Sequence, residues 1–417
     1  MTRKAYIAGI ALPVLLLCAL RAPAFPSGKE AGDIDVNSPA GLDTASNRIG
    51  GNRAALGDFF GRLRSLGEDT LGVVSVLHIG DSHVQAGFYP AAVREAIQHD
   101  FGNAGRGLIV PLKLSGTNEP PDYLITSPDR WTAARCTSRE PAVEPGLGGI
   151  ALVADGNGVS FTITTPHETF DRVTVFHDTA APLLVAPPEL SGDIGCPLQD
   201  TDCSTLVPLR ESVHSVELRA DTSDSGYDTP VFYGFSLENG SGGVLYHSAG
   251  INGNSYDSER RAVRMIRHSS LLMPDLIIVS LGTNDSFGRT FNAELVRSRI
   301  ERVVGLLRES NPQSAILLTI PMECCTRTRY KGKTVRRPNP GSGKLREEII
   351  RVAGQYGLPY WDFYTVAGGA GAREKWYEAR MSNPDRIHLT KGGYWLQGTL
   401  LYRALGDAYR DYCAGNS

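Results

Sequence analysis

The sequence has little of what a nucleic-acid-binding or membrane-spanning protein needs. Positive charge is not in excess: 42 Lys and Arg stand against 45 Asp and Glu, a formal charge of −3. Phosphate binding calls for a net basic face, so nucleic acid is not an expected partner. After residue 20 no apolar run is long enough to cross a bilayer, which takes about 20 residues. Disorder is not expected either, because 41% hydrophobic and 21% charged residues are ordinary for a globular chain. Cysteine is sparse, and no histidine cluster flanks Cys196 and Cys203, so no metal is implied. Helical periodicity is missing between about Arg106 and Ser258.

The apolar run Ala5 to Leu20 follows Arg3 and Lys4 and precedes Ala22-Pro23-Ala24. A charged start, a short apolar stretch and a small-x-small site read as a secretory signal peptide cleaved after Ala24, and the run is short for a membrane anchor. Losing Arg3, Lys4 and Arg21 leaves 39 basic residues against 45 acidic ones, a net −6. The expected location is therefore the periplasm or cell envelope, with no membrane span after cleavage. Cys136, Cys196, Cys203, Cys324, Cys325 and Cys413 remain, an even count that permits disulfides, and Cys196–Cys203 is the expected pair.

Residues 25–49 are polar and read as a flexible leader. Ala54 to Leu66 has a helical pattern, and Val73 to Ile79 is the nearly continuous apolar run of a buried parallel strand. Pro90 to His99 reads as a helix with Pro in its first turn. Residues 106–242 then hold short alternating segments: Val159 to Thr164, Arg172 to His177, Ser215 to Leu218 and Val231 to Leu237. With turn residues between them, these suggest a sandwich or jelly roll. Leu237 to Tyr246 reads as a hairpin or a re-entry loop. From 243 the βα rhythm resumes: a strand at Val244 to His247, a helix at Asp257 to Met273, a strand at Leu276 to Leu281 and an amphipathic helix at Ala293 to Arg308. Strands at Ala315 to Ile320 and Tyr360 to Phe363 and helices at Lys344 to Tyr356 and Gly392 to Tyr412 complete it. The expected architecture is an α/β domain made of residues 50–105 and 243–417, with a parallel sheet covered on both sides, interrupted by a β-rich domain.

Three segments at strand ends carry candidate chemistry. Ser82, in Gly80-Asp81-Ser82-His83, sits where a parallel strand ends and a helix begins, which is where open α/β sheets bind ligands. A serine there is also a common helix cap. His388 has Asp385 three residues before it, close enough to fix its tautomer, though a surface pair before the last helix has the same spacing. Asn284, in Gly282-Thr283-Asn284-Asp285, can donate to an oxyanion or simply serve a turn. Gly250-Ile251-Asn252-Gly253 carries the same ambiguity.

Together these blocks, in this order, resemble those of the SGNH (GDSL-type) hydrolases over the whole α/β part. The resemblance implies a three-layer α/β/α sandwich around a five-stranded parallel sheet. It implies Ser82 as nucleophile, His388 as base and Asp385 as its orienter. The oxyanion hole would comprise the N–H groups of Ser82 and Gly253 with the Asn284 side chain. His83 replaces the family's usual leucine, and a structural role behind the nucleophile is expected for it. Asp81 and Asp285 are expected to brace turns. With the signal peptide and the carbohydrate-binding-like β insertion, this variant resembles the secreted peptidoglycan O-acetylesterases. It implies an O-acetylated peptidoglycan or other acetylated glycan as partner; a monomer without a cofactor is expected. Other polysaccharide or lipid esters, acetyl transfer and non-catalytic glycan binding are the alternative readings. Trp131, Tyr227 and Tyr233 are candidates for sugar stacking or core packing. The basic stretch Arg327 to Arg337 reads as a solvated loop, or as a site for an anionic glycan.

Overall fold

The computed structural model describes residues 39–156, 159–178, 183–192, 204–220, 229–288, 290–330 and 333–415. The signal segment, Cys196, Cys203 and Tyr227 lie outside them. Cys136, Cys324 and Cys325 are free thiols.

Five strands form a parallel sheet in the order Pro359–Asp362, Ala315–Ile320, Leu276–Ser280, Val73–Gly80, Gly243–Gly250, and Ile49–Gly51 adds an antiparallel edge. Alternation along each strand splits its apolar residues between two layers. Val74, Val76, Leu276 and Ile278 pack in one core with the helices Gly57–Ser65, Phe88–Phe101 and Lys391–Gly415. Leu77, Ile79, Ile277 and Val279 pack in the other with the helices Ala293–Ser310 and Gly341–Tyr356. Each such side chain contributes about 1.5–3 kcal/mol by leaving water. His78 is a fully buried polar residue on Val73–Gly80, the strand beside the sheet edge Gly243–Gly250. Its Nδ1 meets the Tyr246 hydroxyl at 2.8 Å and its Nε2 the Ser280 hydroxyl at 2.7 Å, and burial pushes its pKa down to about 3.

The insertion is a two-sheet antiparallel sandwich. One sheet runs Ser204–Val213, Phe170–Asp178, Val231–Glu238, Ile150–Ala154, Trp131–Arg135, with Gly107–Ile109 also on Val231–Glu238. The other runs Leu124–Thr126, Val159–Thr164, Ser215–Ala220, Leu183–Ala186. Trp131 stacks on Phe161 at 4.8 Å between centroids, and Phe161 meets Phe232 and Phe235 edge-on. This core is continuous with the second layer of the α/β domain. A buried ion cluster reinforces the junction: Asp122 accepts from Arg94 at 3.0 Å and pairs with Arg106 at 2.7 Å. Burial alone would raise the Asp122 pKa, but the two guanidiniums hold it at about 2.

Several expectations change. Part of the segment read as a flexible leader is ordered: Ile49 is buried on the sheet edge, and Asn47 accepts from Trp361 Nε1 and donates to Leu400 O. Asp257 to Met273 is not one helix but Tyr256–Glu259, Val263–His268 and a 3₁₀ turn at Ser269–Leu272. The buried Glu259 carboxylate is held by Asn254, while Met265 and Ile266 must reach the core, so the chain turns between them. Arg327 to Arg337 is not a loop but the greater part of a hairpin, Cys325–Tyr330 paired with Lys333–Pro338. Val231–Glu238 and Gly243–Gly250 lie in different sheets, so Leu237 to Tyr246 is a re-entry into the α/β domain.

Two strand ends seat the short helix Ser82–Gln85. Gly80 and Gly250 are register partners. A Cβ on Gly80 would lie 2.2 Å from Val84 Cγ2, and one on Gly250 would lie 2.2 Å from Gln85 N. The second contact is with backbone, which has no rotamer to escape into. Gly250→Ala is therefore expected to destabilise by about 1–3 kcal/mol, as overpacking does. Gly305→Ala, in open space on the helix Ala293–Ser310, should stabilise by up to about 1 kcal/mol. Urea midpoints of the two variants check both signs.

Candidate active site

Ser82 is the first residue of its helix, so its N–H has no intrahelical acceptor. Asp81 Oδ1 caps the turn by accepting from His83 N at 2.9 Å. Across the sheet end, His388 Nε2 lies 2.9 Å from Ser82 Oγ, and His388 Nδ1 lies 2.7 Å from Asp385 Oδ2. A carboxylate accepts, so Nδ1 carries the proton and Nε2 is free to accept from the serine hydroxyl. Asp385 Oδ1 also accepts from Ile387 N and His388 N, both at 3.0 Å. Burial pushes the Asp385 pKa up, but these hydrogen bonds outweigh it and leave the carboxyl below its usual range. The hydrogen bond to Asp385 in turn raises His388 above the ordinary histidine value of 6.5.

Arg386 makes the tight Asp385–His388 turn with a left-handed backbone, φ 57°. Its guanidinium is fixed by Glu374, with Nε–Oε2 at 2.8 Å, and lies 4.0 Å from the Tyr377 ring centroid. His83 packs behind the pair. Its ring is 5.5 Å from that of His388, its Nδ1 is 3.1 Å from the Tyr394 hydroxyl, and burial lowers its pKa. A cavity of about 30 Å³ behind Ser82 is touched by Asp81, His83, Tyr89 and Gln397. It is of a size for water, not substrate.

The cleft in front of Ser82 is open and measures about 630 Å³. Gly253, at φ 81°, and Asn284 line it together with Asn118, Asn252, Asn383 and Lys391. Asn284 Nδ2 donates to Asn254 O at 2.8 Å, and an amide nitrogen has a second N–H to offer. Asn254 is locked by Glu259 Oε2 at 2.8 Å and by Ser258 Oγ at 2.7 Å. Burial lifts the Glu259 pKa to about 7. Asp285 Oδ2 accepts from Tyr256 N at 3.0 Å, and burial lifts its pKa to about 6. Gln85 ties Ser82's helix to the opposite wall: its Oε1 accepts from Asn252 N, and its Nε2 donates to Asn118 O at 2.8 Å. Asn118 belongs to the insertion, so that domain forms part of the cleft wall. Tyr233 lies in the insertion's core, where its hydroxyl accepts from Arg264 at 2.7 Å, and the half-buried Trp131 packs against that core.

A sequence model of the GDSL-like lipase/acylhydrolase family matches residues 220–396. A solved structure of a peptidoglycan O-acetylesterase superposes with a TM-score of 0.71 at 20% identity, covering 87% of this chain and 98% of its own. The fold is that of the SGNH hydrolases. The acylhydrolase model and the shared fold together support a carboxylic ester hydrolase. A lipase/acylhydrolase from Enterococcus faecalis aligns at 20% identity over 40% of this chain and 77% of its own, with a TM-score of 0.30, too low to carry an argument. No curated protein matches the sequence.

Sequence reasoning did not single out Asn254, Glu259, Gln85 or Arg386 in this site. Asn254 adjoins the noted Gly253 and so carried a local signal, whereas Glu259 and Arg386 act through partners that only folding supplies. Replacing Asp385 with Asn removes the carboxylate that holds the proton on His388. An NMR titration of the His388 ring should then give a midpoint above 6.5 in the parent and a lower one in Asp385→Asn.

Proposed function

We propose that the chain is a secreted serine esterase that removes acetyl groups from the C6 hydroxyl of N-acetylmuramoyl residues in cell-wall peptidoglycan. The observation that carries the reaction is the Ser82–His388–Asp385 chain of hydrogen bonds, at 2.9 and 2.7 Å, opening on a cleft. His388 Nε2 takes the proton from Ser82 Oγ, which attacks the acetyl carbonyl. The N–H groups of Ser82 and Gly253 and the Asn284 amide receive the oxyanion. The intermediate collapses, the sugar oxygen leaves, and His388 returns the proton to it. A water then gives its proton to His388 and attacks the acetyl-serine, releasing acetate and restoring Ser82.

The cleft lining supports a short acyl group on a polar alcohol. It is rich in amides suited to sugar hydroxyls, and its apolar members are few: Ala86, Phe88 and Leu389. The peptidoglycan O-acetylesterase that shares the fold over 87% of the chain supports the substrate class.

Acetate release from O-acetylated peptidoglycan, with O-acetylated xylan in parallel, tests this. The parent should act on peptidoglycan and weakly on xylan. Ser82→Ala, folded, should lose several orders of magnitude, as serine-hydrolase nucleophile variants do. A folded Ser82→Ala with full activity sinks the mechanism. Activity on xylan alone moves the substrate, and transfer of acetyl to sugar in excess of acetate release makes the protein a transferase. Asn284→Ala should lower kcat by about 10²-fold, the lower end of the loss on removing an oxyanion donor, because it takes away that amide N–H.

A further inference from the structure

Beside the His388 loop the chain forms the ribbon Cys325–Tyr330 and Lys333–Pro338. Arg327 lies directly opposite Arg336, and Arg329 opposite Thr334. Residues two apart on a strand share a face, so Arg327, Arg329 and Arg336 crowd onto one. Like charges directly opposite each other weaken strand pairing. A counter-anion would relieve that repulsion. All three arginines are exposed. Nearby arginines are engaged, Arg373 by Glu323 and Glu374 and Arg386 by Glu374. Arg327, Arg329 and Arg336 have no such partner among the described residues. The ribbon is rooted at the catalytic loop: Cys325 N donates to Arg386 O at 3.1 Å, and Asn339 N donates to Cys324 O at 2.9 Å. The root is thus two residues from His388, and the charge of Arg327 reaches that ring, opposing its protonation.

We propose that the arginine face of this ribbon is a docking subsite for the carboxylates of the peptide stems on the acetylated glycan, holding the polymer while its ester enters the cleft. The inference rests on the peptidoglycan reading above. Planar guanidiniums take carboxylates in a bidentate fork, which suits a stem ending in free carboxyl groups. The chain carries a net negative charge, so attraction to an anionic polymer has to come from a local patch of this kind. An acetylated neutral glycan gains nothing from it.

Co-sedimentation of the full chain with peptidoglycan sacculi stripped of their acetyl groups tests this without reference to ester turnover. Arg329→Gln combined with Arg336→Gln should raise the apparent Kd about tenfold or more, the size of one good charge-assisted contact. Amidating the stem carboxyls should weaken the parent equally, and high salt should erase the difference. Arg329→Lys with Arg336→Lys should recover much of the binding. Equal losses in the lysine and glutamine variants would overturn the proposal in favour of a structural role, as would unchanged sedimentation of the glutamine variant. Binding to phosphatidylglycerol vesicles but not to sacculi would overturn it in favour of a membrane surface. Acetate release together with arginine-independent sedimentation defeats the ribbon proposal alone. Arginine-dependent sedimentation without acetate release defeats the ester reading alone.

Discussion

The close approach of one short helix to two strand ends organises the rest of the molecule. Ser82–Gln85 rests on Gly80 and Gly250, which are partners in adjacent parallel strands, so near that a side chain on either would collide with it. The serine is therefore positioned mainly by backbone packing. Gln85, on the same helix, extends this to the Asn252 turn and to Asn118 of the insertion. Gly253 is held one residue beyond that turn. The candidate nucleophile, one of its candidate oxyanion donors and the far wall of the cleft are thus linked through a single turn of helix.

Around this seat the electrostatics are divided. Burial lowers the pKa values of His78 and His83 and lifts those of Glu259 and Asp285. Asp385 behaves in the opposite way because its hydrogen bonds favour the charged form. Asp385, the carboxylate that touches His388, is thereby held in its charged form. Glu259 and Asp285 instead act as acceptors, fixing the Asn254 loop on which Asn284 leans. The insertion takes part as well, because its aromatic core merges with one layer of the α/β domain and its loop enters the cleft.

What was legible in the sequence follows from how local each determinant is. Val73 to Ile79, Leu276 to Leu281 and Ala315 to Ile320 read as strands because strands buried on both faces are written as continuous apolar runs. Asp385 and His388 read as a pair because three residues of chain separate them. The break within Asp257 to Met273 was not legible, since it depends on where Glu259 finds Asn254 and where Ile266 finds the core. The same holds for Arg327 to Arg337, whose composition says only that it is basic. The pairing register is what puts Arg327 opposite Arg336 and gathers three arginines on one face.

The sequence by itself determined the layer architecture, the insertion and the residue types available for chemistry, because periodicity and turn chemistry are local properties of the chain. Only the tertiary structure decided that Ser82 and His388, 306 residues apart, lie within hydrogen-bond distance. It also decided that an asparagine of the insertion borders them and that the arginine ribbon is rooted beside them. Contacts of that range depend on how layers stack and how strand ends align, and no short window of sequence encodes either.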